Sequence, residues 1–374
     1  MSTPDVKMWL AEPLPGSVNP ILQRLLKTDG VRHIRIMPDV HLAHEVCVGM
    51  VVATAGTILP GAVGSDIGCG MAALAFDCDA GLLASEASAA RLLAGLYRRV
   101  PANRQPEPRD LPRPLARNTT SDPRLETMKR REARIQFGTL GRGNHFVEFQ
   151  RDESDRMWLM LHSGSRAIGQ AIYDLHLARS TRTLGNIGVL DAASEPGRAY
   201  LNDMAWAVQY AAANRRAMAE AVAQLVAALF EIAADWPTYA DCSHNYVCGE
   251  PHFGTELWVH RKGAISAREN EPGIIPGSMG TASFHVEGRG EPESLCSSSH
   301  GAGRRMSRSD ARRRITTRQL SRQLDGLWYD HRIAAALREE APRAYRDVDA
   351  VLRAQRDLTR IVRRLVPVLC YKGT

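Results

Sequence analysis

Residues 63–71 read Val63-Gly64-Ser65-Asp66-Ile67-Gly68-Cys69-Gly70-Met71. Asp66 offers a hard oxygen donor and Cys69, three positions on, a soft sulfur donor, with glycines on every side. Glycine lets the backbone take positive φ and come close to a ligand, and a deprotonated cysteine can bind one metal or bridge two. Taken alone, the stretch fits a tight turn around a buried thiol as well as a metal site. The choice between them depends on donors elsewhere in the chain.

The chain around this turn has 374 residues, 44% hydrophobic and 24% charged, enough for a substantial core and typical of a soluble globular protein. The net charge of +7 suits a polyanionic partner without requiring one. Met1-Ser2-Thr3-Pro4-Asp5-Val6-Lys7 carries charge where a signal peptide needs its apolar stretch, and no apolar run is long enough to span a bilayer. The expectation is a cytoplasmic protein with no membrane partner. Its seven cysteines, odd in number and without a regular framework, fit free thiols in a reducing compartment.

Ile34 and Ile36, then Val46, Val48 and Met50, alternate with their neighbours as strands do, and glycine turns follow at Gly56 and Gly61. Residues 101–124 are crowded with prolines and arginines, which predicts an exposed loop. Strand signals resume at Met157–Leu161 and Leu257–Val259, on either side of an alanine-rich helical stretch from about Tyr200 to Ala233. In the last third, Val348, Val351, Leu352, Leu358, Ile361, Val362 and Leu365 fall at three- and four-residue spacing, which predicts a final helix with one buried stripe. The expected architecture is a single mixed α/β domain over residues 1–374, with central β-sheets, inserted loops and a helical C-terminal third.

Three histidines lie at strand ends or in glycine-rich turns, where a sheet-supported loop usually carries function. They are His145 in Gly-Arg-Gly-Asn144-His145-Phe, His162 in Leu-His162-Ser-Gly-Ser-Arg and His244 in Ser-His244-Asn-Tyr. Each alone fits a hydrogen-bonded structural histidine. With Asp66 and Cys69 they make an N/O/S donor set for two adjacent metals.

Phosphate chemistry has its own signal in Ser297-Ser298-Ser299-His300-Gly301-Ala302-Gly303-Arg304, where amides, hydroxyls and a guanidinium are the groups that hold phosphate oxygens. Pro276-Gly277-Ser278-Met279-Gly280-Thr281 is a second such loop, equally compatible with ordinary turn chemistry. His300 has no second ligand-type residue beside it. It reads either as a nucleophile toward phosphorus or as a group that only hydrogen-bonds a phosphate.

The ordered set of motifs resembles the RtcB family of RNA-splicing ligases. It runs from Met37-Pro38-Asp39-Val40-His41 through Asp-Ile-Gly-Cys-Gly-Met, Gly-Asn-His-Phe, Leu-His-Ser-Gly-Ser-Arg, His-Asn-Tyr, Gly-Ser-Met-Gly and Ser-His-Gly-Ala-Gly-Arg to Lys372-Gly373. The resemblance implies a GTP-consuming ligase with two manganese ions (Mn2+), joining RNA 2′,3′-cyclic-phosphate or 3′-phosphate ends to 5′-hydroxyl ends. It implies that Cys69 bridges the metals, with Asp66 and His145 completing one site and His162 and His244 the other, and that His300 becomes guanylylated. It further implies that Asn144 and Arg304 hold phosphate groups, Glu148 reads the guanine edge, Tyr345 packs on the base and Lys372 lies close to the nucleotide. Cys/His sites generally favour zinc over manganese, so metal identity would be set by availability and open coordination positions.

Two departures from the family pattern stand out. Ala43-His44-Glu45 follow the Asp39/His41 element where members have a glycine-rich stretch, and Ser298 stands where a cysteine is common. If His44 and Glu45 only decorate a surface turn, sealing proceeds; if they obstruct the 5′-hydroxyl strand, the chain only caps 3′-phosphate ends or opens cyclic phosphates. A third reading is an RNA-binding paralogue without catalysis, for which the arginines between Arg304 and Arg314 provide a basic helix. The pattern names neither the physiological RNA nor an activating protein partner.

Overall fold

The computed structural model describes residues 3–183 and 185–373. Two sheets dominate. One has five strands in the order Asp5–Met8, Val31–His41, Val48–Thr54, Thr255–Lys262 and Asn245–His252. The other runs Ala234–Ser243, Gly70–Asp79, Arg156–Ser163, Phe146–Arg151, Thr359–Lys372, Ser283–Gly288 and Pro272–Ile275, with Trp328–Tyr329 pairing alongside Thr359–Lys372. Its two outer strands approach each other, since Cys242 and Ile274 pack in one cluster with Met71, so the sheet bends toward closure.

The strand Gly70–Asp79 shows how the sequence selects this sheet. Side chains alternate faces along a strand. Met71, Ala73 and Ala75 enter a cluster with Trp158 and Met160 on one face, while Ala72, Leu74 and Phe76 enter the larger core on the other. Burial on both faces explains why the segment is an unbroken apolar run.

The helix Glu195–Phe230, 36 residues long, lies across the back of the sheet. It starts where the Ser194 hydroxyl accepts a hydrogen bond from Gly197 N and stops where Glu231 takes a left-handed φ of 59°. Met218, Val222 and Leu225 pack on the large core, and Tyr200, Met204, Ala207 and Tyr210 on a second one.

Two sequence expectations change. The final helix ends at Ala354, and residues Thr359–Lys372 form a 14-residue strand. Ile361 and Val362, read as core, are 53% and 49% exposed. β-Branched residues and Pro367 oppose a helix here, and the proline is accommodated at a register shift opposite Phe146–Arg151. The C-terminal third is therefore a mixture of short helices and sheet. Residues 101–124 are largely exposed but pinned, because Leu115 is buried, Gln105 donates to Gly138 O at 2.8 Å and Ser121 bonds both oxygens of Asp203. All seven cysteines are free thiols. Among the described residues no helix is long and apolar enough to cross a membrane.

Candidate metal and nucleotide site

Four neighbouring strands of the large sheet bring the donors into one row. Gly70 pairs with both Ser243 and Ser163, and His162 pairs with both Met71 and Phe146. Cys69, His244 and His145 each sit one residue beyond such a paired end, so register aligns four donors that lie far apart in sequence. Asp66 joins them through the turn, which Cys69 N closes on Asp66 O at 3.1 Å.

That turn is held from behind. Gly68, at φ 69°, sits so close to the long helix that a Cβ would lie 2.7 Å from Val208 Cα. Arg215 of the same helix is fully buried and donates to Gly68 O (2.8 Å) and Ser163 O (2.9 Å), while a two-pronged contact to Asp241 at 2.6 and 2.7 Å neutralises it. One guanidinium thus ties the Asp66–Cys69 turn to the strand that carries His162.

Cys69 Sγ lies 3.5 Å from His145 Nε2 and 3.2 Å from His162 Nε2. His145 Nε2 is 2.9 Å from Asp66 Oδ2, and His162 Nε2 is 3.4 Å from His244 Nε2. The donors form two triads that share the sulfur, Asp66–Cys69–His145 and Cys69–His162–His244, each with its ligand atoms within 4.8 Å of one another. Sulfur and nitrogen ligands of one cation lie about 3.1 to 3.6 Å apart, so this spacing is that of a coordination shell.

Electrostatics point the same way. Burial pushes the Cys69 thiol well above its ordinary pKa and the Asp66 carboxylate adds to the effect, so a thiolate here needs a cation beside it. Burial pushes His162 and His244 well below theirs, His244 also through neighbouring His300, leaving both neutral with lone pairs available. Burial would raise the Asp66 carboxyl, but His145 outweighs it and holds it at about 2. His162 Nδ1 faces the carbonyl of Asn144 at 3.1 Å and so carries the ring proton, which turns the Nε2 lone pair toward the cluster. These residues fit a metal.

His300 stands beside this cluster, its ring 4.6 Å from that of His244. Its Nδ1 is 2.7 Å from Asp39 Oδ2, which also accepts from His300 N at 3.2 Å. Because a carboxylate only accepts, Nδ1 carries the proton and Nε2 presents a lone pair. Gly303, at φ 72°, lets this loop close on Asp39, where a Cβ would lie 2.4 Å from the Asp39 carbonyl oxygen.

A cavity of about 970 Å³ extends from the cluster. Asn144, Glu148, Ser278, Gly301, Gly303, Arg304, Tyr345 and Lys372 all line it, together with His300. Ser278 is held by its own loop, its hydroxyl 2.9 Å from Thr281 Oγ1. Burial raises the Glu148 carboxyl to about 7, against the opposing pull of a hydrogen bond from Gln150 at 2.7 Å and of Lys372.

Glu340, which sequence reasoning missed, organises the far end of the cavity. Its carboxylate accepts from Lys372 Nζ (2.6 Å), Tyr345 OH (2.8 Å) and Arg304 Nη1 (3.3 Å). Burial would raise its pKa, but Lys372 and Arg304 hold it at about 2. It stands in a run of charged residues with no motif, so only the fold reveals it. Asp39 belongs to the motif at residues 37–41, but nothing in the sequence signalled its contact with His300, and Arg215 had no sequence signal at all.

A family model described as tRNA-splicing ligase RtcB matches residues 22–119 and 109–373. The RNA-splicing ligase RtcB of Escherichia coli K12 is 39% identical, over 98% of this chain and 97% of its own. The protein of the same name from Mycobacterium tuberculosis H37Rv is 31% identical over 92% and 97%. RNA-splicing ligase RtcB2 of Escherichia coli ATCC 25922 is 29% identical over 90% and 87%.

Proposed function

The chain belongs to the RtcB family and is by that membership an RNA ligase, and from this premise we propose that it uses GTP and two manganese ions to join 2′,3′-cyclic-phosphate or 3′-phosphate ends to 5′-hydroxyl ends. The observation that carries the mechanism is His300, whose Nδ1 proton is committed to Asp39 while the ring lies between a buried N/O/S cluster and a cavity rich in phosphate-binding groups.

Asp66, Cys69 and His145 would hold one metal and Cys69, His162 and His244 the other. When bound, they supply positive charge that stabilises phosphoryl oxygens as charge builds on them. The protein's own groups do the rest. Asp39 keeps the proton on Nδ1, and the Nε2 lone pair attacks the α-phosphorus of GTP. An N–P bond forms, a P–O bond breaks and pyrophosphate leaves. The ring is then cationic, and the Asp39 carboxylate stabilises it.

A cyclic end is first hydrolysed: a water oxygen bonds to phosphorus as the P–O2′ bond breaks, leaving a 2′-hydroxyl and a 3′-phosphate. An oxygen of that phosphate attacks the guanylyl phosphorus, the N–P bond breaks, and the lone pair returns to His300 with the RNA now capped by GMP. The 5′-hydroxyl attacks the RNA phosphorus, an O–P bond forms as the P–O bond to GMP breaks, and the hydroxyl proton passes to solvent. Arg304 and Lys372 supply positive charge for the nucleotide phosphates, and the Glu148 carboxylate accepts from the guanine edge, which adenine cannot match with two donors.

The Ala43–Glu45 departure supports sealing rather than capping alone. Glu45 is buried, at φ 55°, with its carboxylate paired to Arg182 and turned against Gly61. The His44 carbonyl accepts from Lys262 Nζ at 2.9 Å. Leu42 reaches the catalytic cavity, whereas residues 43–45 line a neighbouring groove.

The test is a time course with labelled GTP, manganese and one RNA that carries both ends. Acid-labile protein label followed by circular RNA is expected, with neither in His300→Ala. Undiminished labelling of that variant removes His300 from the mechanism. Persistent capped RNA without circles in the unaltered protein replaces sealing by end-capping.

A further inference from the structure

Beyond Arg304, the arginine-rich stretch beside the cavity has no part in the chemistry above. Between Arg304 and Arg322 the chain has eight arginines and one acidic residue, Asp310. Two short helices carry most of them, Arg308–Arg314 and Thr317–Gln323. Their apolar positions, Ala311, Ile315, Leu320 and Leu324, are buried in one cluster, and Arg312, Arg313, Arg314, Arg318 and Arg322 are exposed.

An ordinary solvated helix face mixes both signs evenly, whereas here Asp310 is the one acidic residue of the two helices. Arg308 and Arg312 share Glu339, and Arg313 pairs with Asp310. Arg314, Arg318 and Arg322 have no carboxylate partner among the described residues. Arg343, also exposed, lies beside the end of the second helix, where its backbone N–H donates to Gln323 Oε1 at 3.0 Å. The surface is continuous with the active cavity, because Arg305, Arg308 and Arg312 form part of the cavity lining.

We infer that this face, centred on Arg314, Arg318 and Arg322, is a docking surface for the phosphodiester backbone of the RNA substrate, several nucleotides away from the ends being joined. The inference rests on the ligase reading for the identity of the polyanion. Guanidinium groups contact phosphate oxygens without reading bases, so the surface adds affinity that grows with strand length and falls with salt. It also separates two functions in space: the cavity handles the ends whatever the strand, and the arginine face retains long strands.

The test compares the unaltered protein with Arg314→Ser/Arg318→Ser/Arg322→Ser and with the matching triple lysine variant, on a trinucleotide and on a long single-stranded RNA with the same ends. Guanylylation of His300, which needs no RNA, reports whether each variant is folded. The serine variant should label normally and process the trinucleotide normally. For the long RNA its plot of log affinity against log salt should be shallower by about 2, from about 0.7 per phosphate contact. A tenfold rise in salt should therefore weaken the unaltered protein about a hundredfold more than the variant. The lysine variant should keep most of the slope. Equal slopes for serine variant and unaltered protein, or a loss confined to binding of anionic phospholipid vesicles, would overturn the inference. If the unaltered protein binds RNA with the steep slope but seals nothing, the ligase reading falls and the docking surface stands.

Discussion

Replacing Asp39 by asparagine preserves shape and changes one thing, the charge and donor pattern opposite His300. In the native site Oδ2 accepts from both Nδ1 and the backbone N–H of His300, and Oδ1 is buried with no partner among the described residues. Asparagine has two ways to fit. With its carbonyl toward His300 it keeps both hydrogen bonds, but they lose their charge assistance and the amide NH2 is buried unpaired where Oδ1 was. With its NH2 toward His300 it donates to Nδ1, which moves the ring proton to Nε2 and blocks the nucleophile. Charge-assisted hydrogen bonds contribute about 1.5–3 kcal/mol against about 1 kcal/mol for neutral ones, and an unpaired buried amide costs about 1–3 kcal/mol. The cationic ring formed on attack also loses its counter-charge. Together these predict a guanylylation rate lower by about 3 to 5 kcal/mol in barrier, or about 10² to 10⁴ in rate. Single-turnover transfer of label from GTP measures that step. RNA supplied already capped with GMP measures sealing without it, and this should stay within a few-fold of normal. Guanylylation by Asp39→Asn at close to the native rate would refute the tautomer argument. A parallel collapse of sealing would show that Asp39 acts only on the fold.

Cys69→Ser should remove bound manganese from both triads together, because they share the sulfur, whereas His244→Ala should spare the Asp66–Cys69–His145 triad; metal content after dialysis distinguishes the two. Burial raises the Glu148 carboxyl to about 7, so the folded protein keeps a proton that the unfolded chain has released. Stability should therefore fall as pH rises from the ordinary carboxyl range through about 7, while the KM for GTP should rise as pH falls below about 7. Glu148→Gln should flatten both profiles, seen in thermal melts and in GTP-against-ATP labelling. Arg215→Met should cost about 3 kcal/mol in denaturant melts, since Asp241 and the carbonyls of Gly68 and Ser163 lose a shared partner while Asp241 keeps some access to water.

The division between what could and could not be read from the sequence follows the range of the interactions involved. Donor chemistry next to glycine turns is local, so Asp66, Cys69, His145, His162 and His244 could be picked out one at a time. Their convergence is a matter of strand register, and no spacing within any one segment encodes that Gly70 pairs with both Ser243 and Ser163. Asp39 and His300 are 261 positions apart. Arg215 is one polar residue in an alanine-rich helix, where an outward-facing arginine looks the same in sequence as one buried against two carbonyls. The C-terminal misreading has a different cause. Val348, Val351 and Leu352 do belong to a helix, and Leu358 and Leu365 continue its spacing by coincidence. Ile361 and Val362 also fit the helical spacing and were counted in the stripe, although their β-branching, together with Pro367, favours a strand.

That misread strand positions much of the end of the cavity proposed for the nucleotide. Thr359–Lys372 pairs with Phe146–Arg151 so that Cys370 lies opposite Glu148 and Lys372 opposite Phe146. A helix over the same residues would leave Lys372 no fixed distance from Glu148, and Glu340 would lose the cation that contacts it at 2.6 Å. The same register also brings Lys372 alongside the strand that begins directly after His145. The donor cluster and the proposed nucleotide end of the cavity are therefore linked by hydrogen bonds of one sheet, and a change that shifts this strand should disturb guanylylation before it disturbs metal binding.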